Sequence, residues 1–303
     1  MTKDDILVIL KNSPDYISGE KISRSLGLSR AAVNSAVQAL RRDGYEIISS
    51  TNKGYFLRNS PDKLSAGELL AGLPKDYKHR IIYLDSVDST NDYLKFHTKQ
   101  DNSGRLIVVA NEQTNGRGRR GRRFQSVRNK GIYLSMELCP DCTPSAALSV
   151  TAFAAVAVCN SIESVCGIRP GIKWVNDLMI NGKKICGILT EVAFESETLQ
   201  IQQIITGVGL NANQKANDFS EDIRGIASSI AAETGREVNR AKLACEVIKN
   251  LDRIKNDLTE RKAYYLDAYR RDCIILGKQV FIIKKNMTES GIAESIDDDF
   301  HLV

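Results

Sequence analysis

Between Gln113 and Gly121 the chain reads Gln-Thr-Asn-Gly-Arg-Gly-Arg-Arg-Gly, three glycines interleaved with three arginines. Glycine lets the backbone wrap closely around a ligand, and arginine offers a planar fork of donors for carboxylate and phosphate oxygens. Taken as a bare pattern, Gly116-x-Gly118-x-x-Gly121 matches a dinucleotide fingerprint, which requires a helix directly after the glycines and an acid about 20 residues on. Here Arg122-Arg123-Phe124-Gln125-Ser126 follows and then a predicted strand, so the dinucleotide reading fails. An anion-binding loop and a solvated basic loop that touches nucleic acid remain, and composition weighs them evenly.

Three further segments carry polar chemistry. Lys173-Trp174-Val175-Asn176-Asp177-Leu178, followed by Asn181-Gly182-Lys183-Lys184, reads as strand, tight turn and strand. Such a hairpin is more often core plus turn, yet it could bring Lys173, Asp177 and Lys184 together. Asp85-Ser86-Val87-Asp88-Ser89-Thr90-Asn91 follows an apolar strand; Asp88 or Ser89 could simply cap the helix that begins near Asn91. Gly207-Val208-Gly209-Leu210-Asn211 ends a strand with small residues that permit close backbone approach.

The elements that must position these residues can be read from periodicity. Residues 4–12 form a short helix; Ser18 caps a helix over Gly19–Leu26, and Ser29 caps a third to about Asp43. In that third helix Ala32, Val33, Ala36, Val37 and Leu40 recur at helical spacing, leaving Arg30, Asn34, Gln38 and Arg41 on other faces. Strands at Tyr45–Ser50 and Gly54–Leu57 then complete a winged helix-turn-helix, with Asn59–Asp62 as a linker. Beyond residue 64 the pattern is mixed: strands at Arg80–Leu84, Arg105–Ala110, Gly131–Glu137, Ile168–Trp174, Lys184–Phe194 and Leu199–Gly209, a long helix over Pro144–Cys166, and helices across Arg240–Asp272. Gln279–Val303 reads as short strands. It ends without a turn or polar tail, so this last module is expected to be incomplete.

The expected architecture is therefore α+β and multidomain: a winged helix-turn-helix over 1–60, a mixed α/β domain over 64–271, and the start of a small β domain over 272–303. At 303 residues the chain is too long for one ordinary core. With 42% hydrophobic and 26% charged residues it has the balance of a globular protein, and its longest apolar run, Ala152–Val158, falls short of the about 20 residues of a membrane span. No membrane role and no secretory signal are expected. Seven cysteines, mostly in apolar segments, imply free thiols and a cytoplasmic location. Cys139 and Cys142 have metal-like spacing without a second pair, and His79, His97 and His301 are scattered, so no metal site of the protein's own is expected. The net charge of +5 is modest, but five basic residues and no acid lie between Lys21 and Arg42, and seven and no acid between Arg117 and Lys130. Two separate anionic partners follow.

Together and in this order, Asp88-Ser89-Thr90-Asn91, Gly116 to Gly121, Lys173-Trp174-Val175-Asn176-Asp177-Leu178, Lys184 and Gly207 to Asn211 resemble the biotin protein ligase family over nearly the whole chain. With the winged helix in front, the chain looks like the bifunctional members that also repress biotin genes. The resemblance implies a central domain like a class II aminoacyl-tRNA synthetase and an SH3-like C-terminal barrel. It implies biotin and ATP as substrates, with Mg²⁺ carried by ATP, and transfer of biotin through biotinyl-5'-AMP to a lysine of the biotin carboxyl carrier domain of a carboxylase. Operator DNA and a homodimer are the other implied partners.

Residue by residue, the resemblance sets Ser89, Thr90, Asn91, Gln113, Arg117, Gly118 and Arg119 around biotin, with Lys184 near its carboxylate and the α-phosphate. Asp177 sits where the acceptor lysine arrives. The nucleotide falls to Arg119, Arg120, Trp174, Asn176, Lys184 and Asn211, and catalysis to Lys184, Asp177 and Arg119. The glycine-arginine loop is expected to close only over anions. Val175 stands where many relatives have proline, which should loosen that turn. Arg30, Asn34 and Gln38 could reach base edges, while Arg24, Arg41, Arg42 and Lys53 could contact phosphates. A sensor that binds biotin and DNA without chemistry is the alternative, disfavoured by the intact Arg119, Asp177 and Lys184. A lipoate ligase is disfavoured by the polar set at Ser89, Thr90, Asn91 and Gln113.

Overall fold

The computed structural model describes residues 2–98, 106–138, 144–194, 201–283 and 287–303. Cys139 and Cys142 lie outside these residues. Packing divides the chain into two compact units, Met1–Ile81 with Asn239–Cys245, and Ile82–Val238 with Glu246–Val303.

In the first unit, α1 (Thr2–Lys11), α2 (Gly19–Leu26) and α3 (Arg30–Arg42) precede the hairpin of β1 (Glu46–Ser50) and β2 (Gly54–Asn59), and α4 (Ala66–Gly72) follows. Ser18 and Ser29 accept the backbone N–H of Lys21 and Ala32, which satisfies a free donor at the start of each helix. Gly27 ends α2 in the left-handed conformation, at φ 65°, which a residue without Cβ adopts at no steric cost. Ile6, Leu7, Leu10, Ile22, Val33, Val37, Leu40 and Ile47 form one buried core, which fixes the order of helix, helix, turn, helix and wing. The unit does not stop at Asn59–Asp62. Leu64 and Leu69 are buried, Lys11 pairs with the buried Glu68 at 2.6 Å, and Asp62 holds the buried Arg240 through Nε at 2.8 Å.

The second unit is built on one sheet of β3 (Ile81–Leu84), β4 (Ile107–Ala110), β5 (Gly131–Leu138), β6 (Gly171–Lys173), β7 (Asp177–Ile180), β8 (Lys183–Phe194) and β9 (Ile201–Asn211), in the order β3-β4-β5-β9-β8-β7-β6. From β4 across to β6 every pairing is antiparallel. The central strand β5 is buried along its whole length, as a strand covered on both faces must be. Leu94 of α5 (Thr90–Thr98) packs with Leu106, Val108 and Ile205, while α6 (Pro144–Cys166) packs against β7, β8 and β9. The stretch Ser149–Cys166 is long and apolar enough to cross a membrane by length and composition, and 67% of it is buried inside the protein, where it serves as the core helix. The expectation from Ala152–Val158 alone understated this run, because Asn160, Ser161, Glu163 and Ser164 interrupt the apolar letters while the stretch keeps a single charge.

Short helices α7 (Glu221–Arg224) and α8 (Ile230–Thr234), which periodicity did not reveal, lead to α9 (Arg240–Glu260) and α10 (Lys262–Asp272). A hairpin of β10 (Gln279–Ile283) and β11 (Thr288–Ile292) and a bridge between Ile296 and Leu302 follow. Cys159, Cys186 and Cys273 are free thiols, and burial pushes those of Cys159 and Cys186 well above their ordinary range, which keeps them unreactive.

Leu94 is fully buried and carries the helix that begins at Thr90. Replacing it with alanine should cost about 2–5 kcal/mol, read as a lower denaturant midpoint. An unchanged midpoint would mean that this core does not hold α5.

Candidate functional site

Strand register places Asp177, Gly187, Gly209 and Tyr133 side by side across β7, β8, β9 and β5, and residues paired in this way share one face of a sheet. One step along the same face, Ser135 pairs with Gly207. The middle of this row therefore has no side chains of its own, and this glycine trough is where the Phe124 ring packs on the sheet.

Polar groups close one end of the trough. Ser89, Thr90 and Asn91 are buried at the start of α5. Gln113 Oε1 accepts from both the backbone N–H and the hydroxyl of Thr90, at 2.9 and 3.0 Å, while its Nε2 donates to Ser126 Oγ at 2.8 Å. Ser135 Oγ lies 2.7 Å from Thr90 Oγ1 and 2.5 Å from Asn91 Oδ1, and Asn91 Nδ2 donates to Glu191 Oε2 at 2.7 Å. A Cβ on Gly207 would stand 2.2 Å from Asn91 Oδ1, so only glycine admits the Asn91 side chain there.

The other end is cationic. Lys184 Nζ lies 2.7 Å from Asp177 Oδ1 as an ion pair that lacks hydrogen-bond alignment, so the contact is coulombic. It also lies 6.0 Å from the centre of the Phe124 ring. That ring rests on the glycine floor: a Cβ at Gly209 would meet it at 2.7 Å and one at Gly187 at 3.4 Å. Arg119 donates to Asn176 Oδ1 at 3.3 Å, and Asn176 Nδ2 donates to the carbonyl of Ile188 at 2.8 Å. Arg119 and Lys184 thus reach adjacent residues of one hairpin, Asn176 and Asp177.

The loop that carries Arg119 holds its own shape. Arg117 pairs with Asp92 at 2.8 Å, Gly118 donates to the carbonyl of Arg122 at 2.7 Å, and Phe124 donates to that of Gly116 at 2.8 Å. The loop is thus braced by bonds of its own and by one ion pair to α5. Arg120 is exposed at its tip in the left-handed region, at φ 57°.

The stretch that carries the site has known relatives. Residues 83–211 match the model of the biotin/lipoate A/B protein ligase family, and residues 2–56 match a helix-turn-helix domain. The bifunctional ligase/repressor BirA of Bacillus subtilis is 38% identical over 242 residues, spanning 80% of this chain and 74% of that protein. The chain belongs to this ligase/repressor family. The Escherichia coli bifunctional ligase/repressor BirA is 29% identical over 96% of this chain and 88% of its own length. The solved biotin protein ligase from Aquifex aeolicus in complex with biotin and ATP superposes with TM-score 0.60 at 25% identity, covering 74% of this chain and 90% of that one.

Two residues assigned to the nucleotide by sequence also make hydrogen bonds within the protein. Asn211 is buried, donating to the carbonyl of Ser228 at 3.0 Å and accepting from Gln214 at 3.0 Å, so it supports the segment that pairs with the Lys184 backbone. Trp174 is half-exposed, and its Nε1 donates to the carbonyl of Phe300 at 3.0 Å. In the helix-turn-helix, Arg30, Asn34 and Gln38 follow one another at i, i+4 spacing and are exposed. Arg24 and Arg30 share Glu20, at 2.6 and 3.0 Å. Arg41 donates to Ile47 O and Ser49 Oγ, which ties α3 to the wing strand, while Lys53 sits 5.8 Å from the centre of the Tyr16 ring. Asp92, Phe124, Ser126, Ser135 and Glu191 complete the site and were not singled out in the sequence. The readable signal was a polar residue inside an otherwise apolar stretch of strand, as at Ser135.

Gly207→Ala forces Asn91 off Ser135 and should cost about 1–3 kcal/mol of stability. Gly225→Ala, with nothing within 4 Å of the new Cβ, is the neutral control in the same thermal melts. Equal melts for the two variants would remove the case for a tight trough.

Proposed function

We propose that this chain joins biotin to AMP at the glycine trough, passes biotin to a lysine of a carboxyl carrier domain, and represses transcription through its N-terminal unit. The observation that carries the reading is the meeting of Arg119 and Lys184 at Asn176 and Asp177, beside the polar pocket of Thr90 and Gln113. It is supported by family membership and by the fold shared with a ligase solved with biotin and ATP.

The chemistry follows from charge. The biotin carboxylate attacks the α-phosphorus and pyrophosphate leaves, so two anions must approach. Arg119 and Lys184 offset the repulsion and the charge that grows in the transition state. The lysine amine of the carrier then attacks the acyl carbon and AMP leaves. Asp177 orients that amine and accepts its proton. Ser89, Thr90, Asn91 and Gln113 suit the neutral, polar ureido ring, and Arg117 and Gly118 line the loop above it. Arg120, Trp174, Asn176 and Asn211 are assigned to the nucleotide side, Asn211 through the segment it supports.

Mg²⁺ enters on the nucleotide and would offset phosphate charge. Asp92, Asp177 and Glu191 already pair with Arg117, Lys184 and Lys95, and among the described residues no group of three or more His, Cys, Asp or Glu could hold an ion. This donor set fits an ion whose ligands are phosphate oxygens. In the same reading the central sheet belongs to a class II synthetase-like domain over 64–271, and the β10–β11 hairpin to a small SH3-like module. Arg30, Asn34 and Gln38 read operator bases, and Arg24, Arg41 and Lys53 lie along the phosphates of each half-site of a homodimer.

Biotin-dependent exchange of pyrophosphate into ATP tests the enzyme directly, with lipoate as the control. Lys184→Ala and Arg119→Ala should each lower the exchange rate by about 100-fold or more. Exchange with lipoate in place of biotin would overturn the substrate. For the repressor arm, affinity for operator DNA should fall as salt rises, and Gln38→Ala should lose about 1–3 kcal/mol of discrimination at one base pair. Binding that ignores biotin and ATP would count against repression controlled by the ligase product.

A further inference from the structure

The turn Trp174–Asn176 is held from outside the sheet by two elements that carry none of the residues assigned to chemistry. Tyr269 of α10 donates its hydroxyl to the carbonyl of Val175 at 3.0 Å. Burial pushes the Tyr269 phenol well above its ordinary range, so it stays a neutral donor. The carbonyl of Phe300 accepts the indole N–H of Trp174 at 3.0 Å. From the sheet side, Asn176 exchanges bonds with Ile188, its backbone oxygen accepting at 3.0 Å and its Nδ2 donating at 2.8 Å. Its Nδ2 being engaged, Oδ1 is the end that faces Arg119, which can only donate.

Phe300 is built to stay in place. Its ring is buried between Phe153 and Tyr269, with centroids 5.6 Å away in each case, and its backbone adopts φ 64°. The Ile296–Leu302 bridge closes the loop around it, and the Asp297 carboxylate accepts the N–H groups of Asp299 and His301 at 2.9 and 2.8 Å. Arg270 ties the loop to α10, donating to the carbonyl of Ile296 at 2.8 Å and to Asp298 at 3.0 Å. Tyr269 and Arg270 are neighbours, so one turn of α10 grips both the loop and the site turn.

We propose that Tyr269 and the Phe300 loop form a clamp that positions Asn176 for Arg119, making Tyr269 and Phe300 positioning residues for adenylate formation. The proposal rests on the ligase reading above. A valine at 175 brings no ring to fix its backbone, and the clamp supplies that constraint from outside.

Tyr269→Phe removes one hydroxyl and leaves the ring. It should lower kcat of biotin-dependent pyrophosphate exchange about fivefold, the worth of one ordinary hydrogen bond, with KM for biotin unchanged. If Tyr269 acts through Asn176, the double variant Tyr269→Phe/Asn176→Ala is no slower than Asn176→Ala alone. Trp174 is the single tryptophan of the chain, so acrylamide quenching of its fluorescence reports the turn without any activity, and it should rise in Tyr269→Phe. Asp297→Ala loosens the loop from the surface and should raise quenching in the same way, which keeps the test open if Tyr269→Phe folds poorly. Unchanged quenching in both variants, or rate losses that multiply in the double variant, would overturn the clamp. No exchange by the unmodified chain would overturn the ligase reading instead, leaving the quenching to decide whether the clamp exists.

Discussion

Bringing a carboxylate to a phosphate requires cations above a surface that a ligand can approach closely, and both demands meet over Gly187 and Gly209. The two glycines face each other across β8 and β9, with Asp177 on one side and Tyr133 on the other. Their missing Cβ atoms make the floor; Phe124 rests on it, and Lys184 lies beside it. Core side chains press on β5 and β9 from α5, and α6 fills the sheet beneath β7, β8 and β9.

The electrostatics of the site are local rather than global. A formal charge of +5 spread over 303 residues says little, but the pairing pattern says more. Asp92 takes Arg117, Glu191 takes Lys95 and Asp177 takes Lys184, so these three acids are each matched. Arg119 is different: its described partner is the neutral Asn176. A guanidinium on an amide keeps its full charge available to an incoming anion, since no carboxylate competes for it.

Much of this was legible in the sequence. Ser18 and Ser29 announce their helices, and the order of polar and glycine motifs points to one site. What could not be read was register. Nothing in Gly187 or Gly209 as letters says that they stand opposite each other, because pairing across strands is set by bulges such as that between Leu178 and Met179. For the same reason Ser135 and Glu191 read as polar residues in mostly apolar strands, and only the sheet brings them to Asn91. Nor do the letters show the backbone bonds by which the glycine-arginine loop pairs with itself. The boundary expected at Asn59–Asp62 followed linker chemistry, whereas packing continues through Leu64 and Leu69.

Arg240 gives that packing a consequence for biosynthesis. Its side chain is buried against Asp62, yet 178 positions separate the two along the chain. During translation the winged helix emerges first, with Asp62 still facing water and its guanidinium partner not yet made. The N-terminal unit therefore reaches its final state only after most of the second unit has left the ribosome, and a DNA-binding head cut loose at its linker would lack a piece of its own interior.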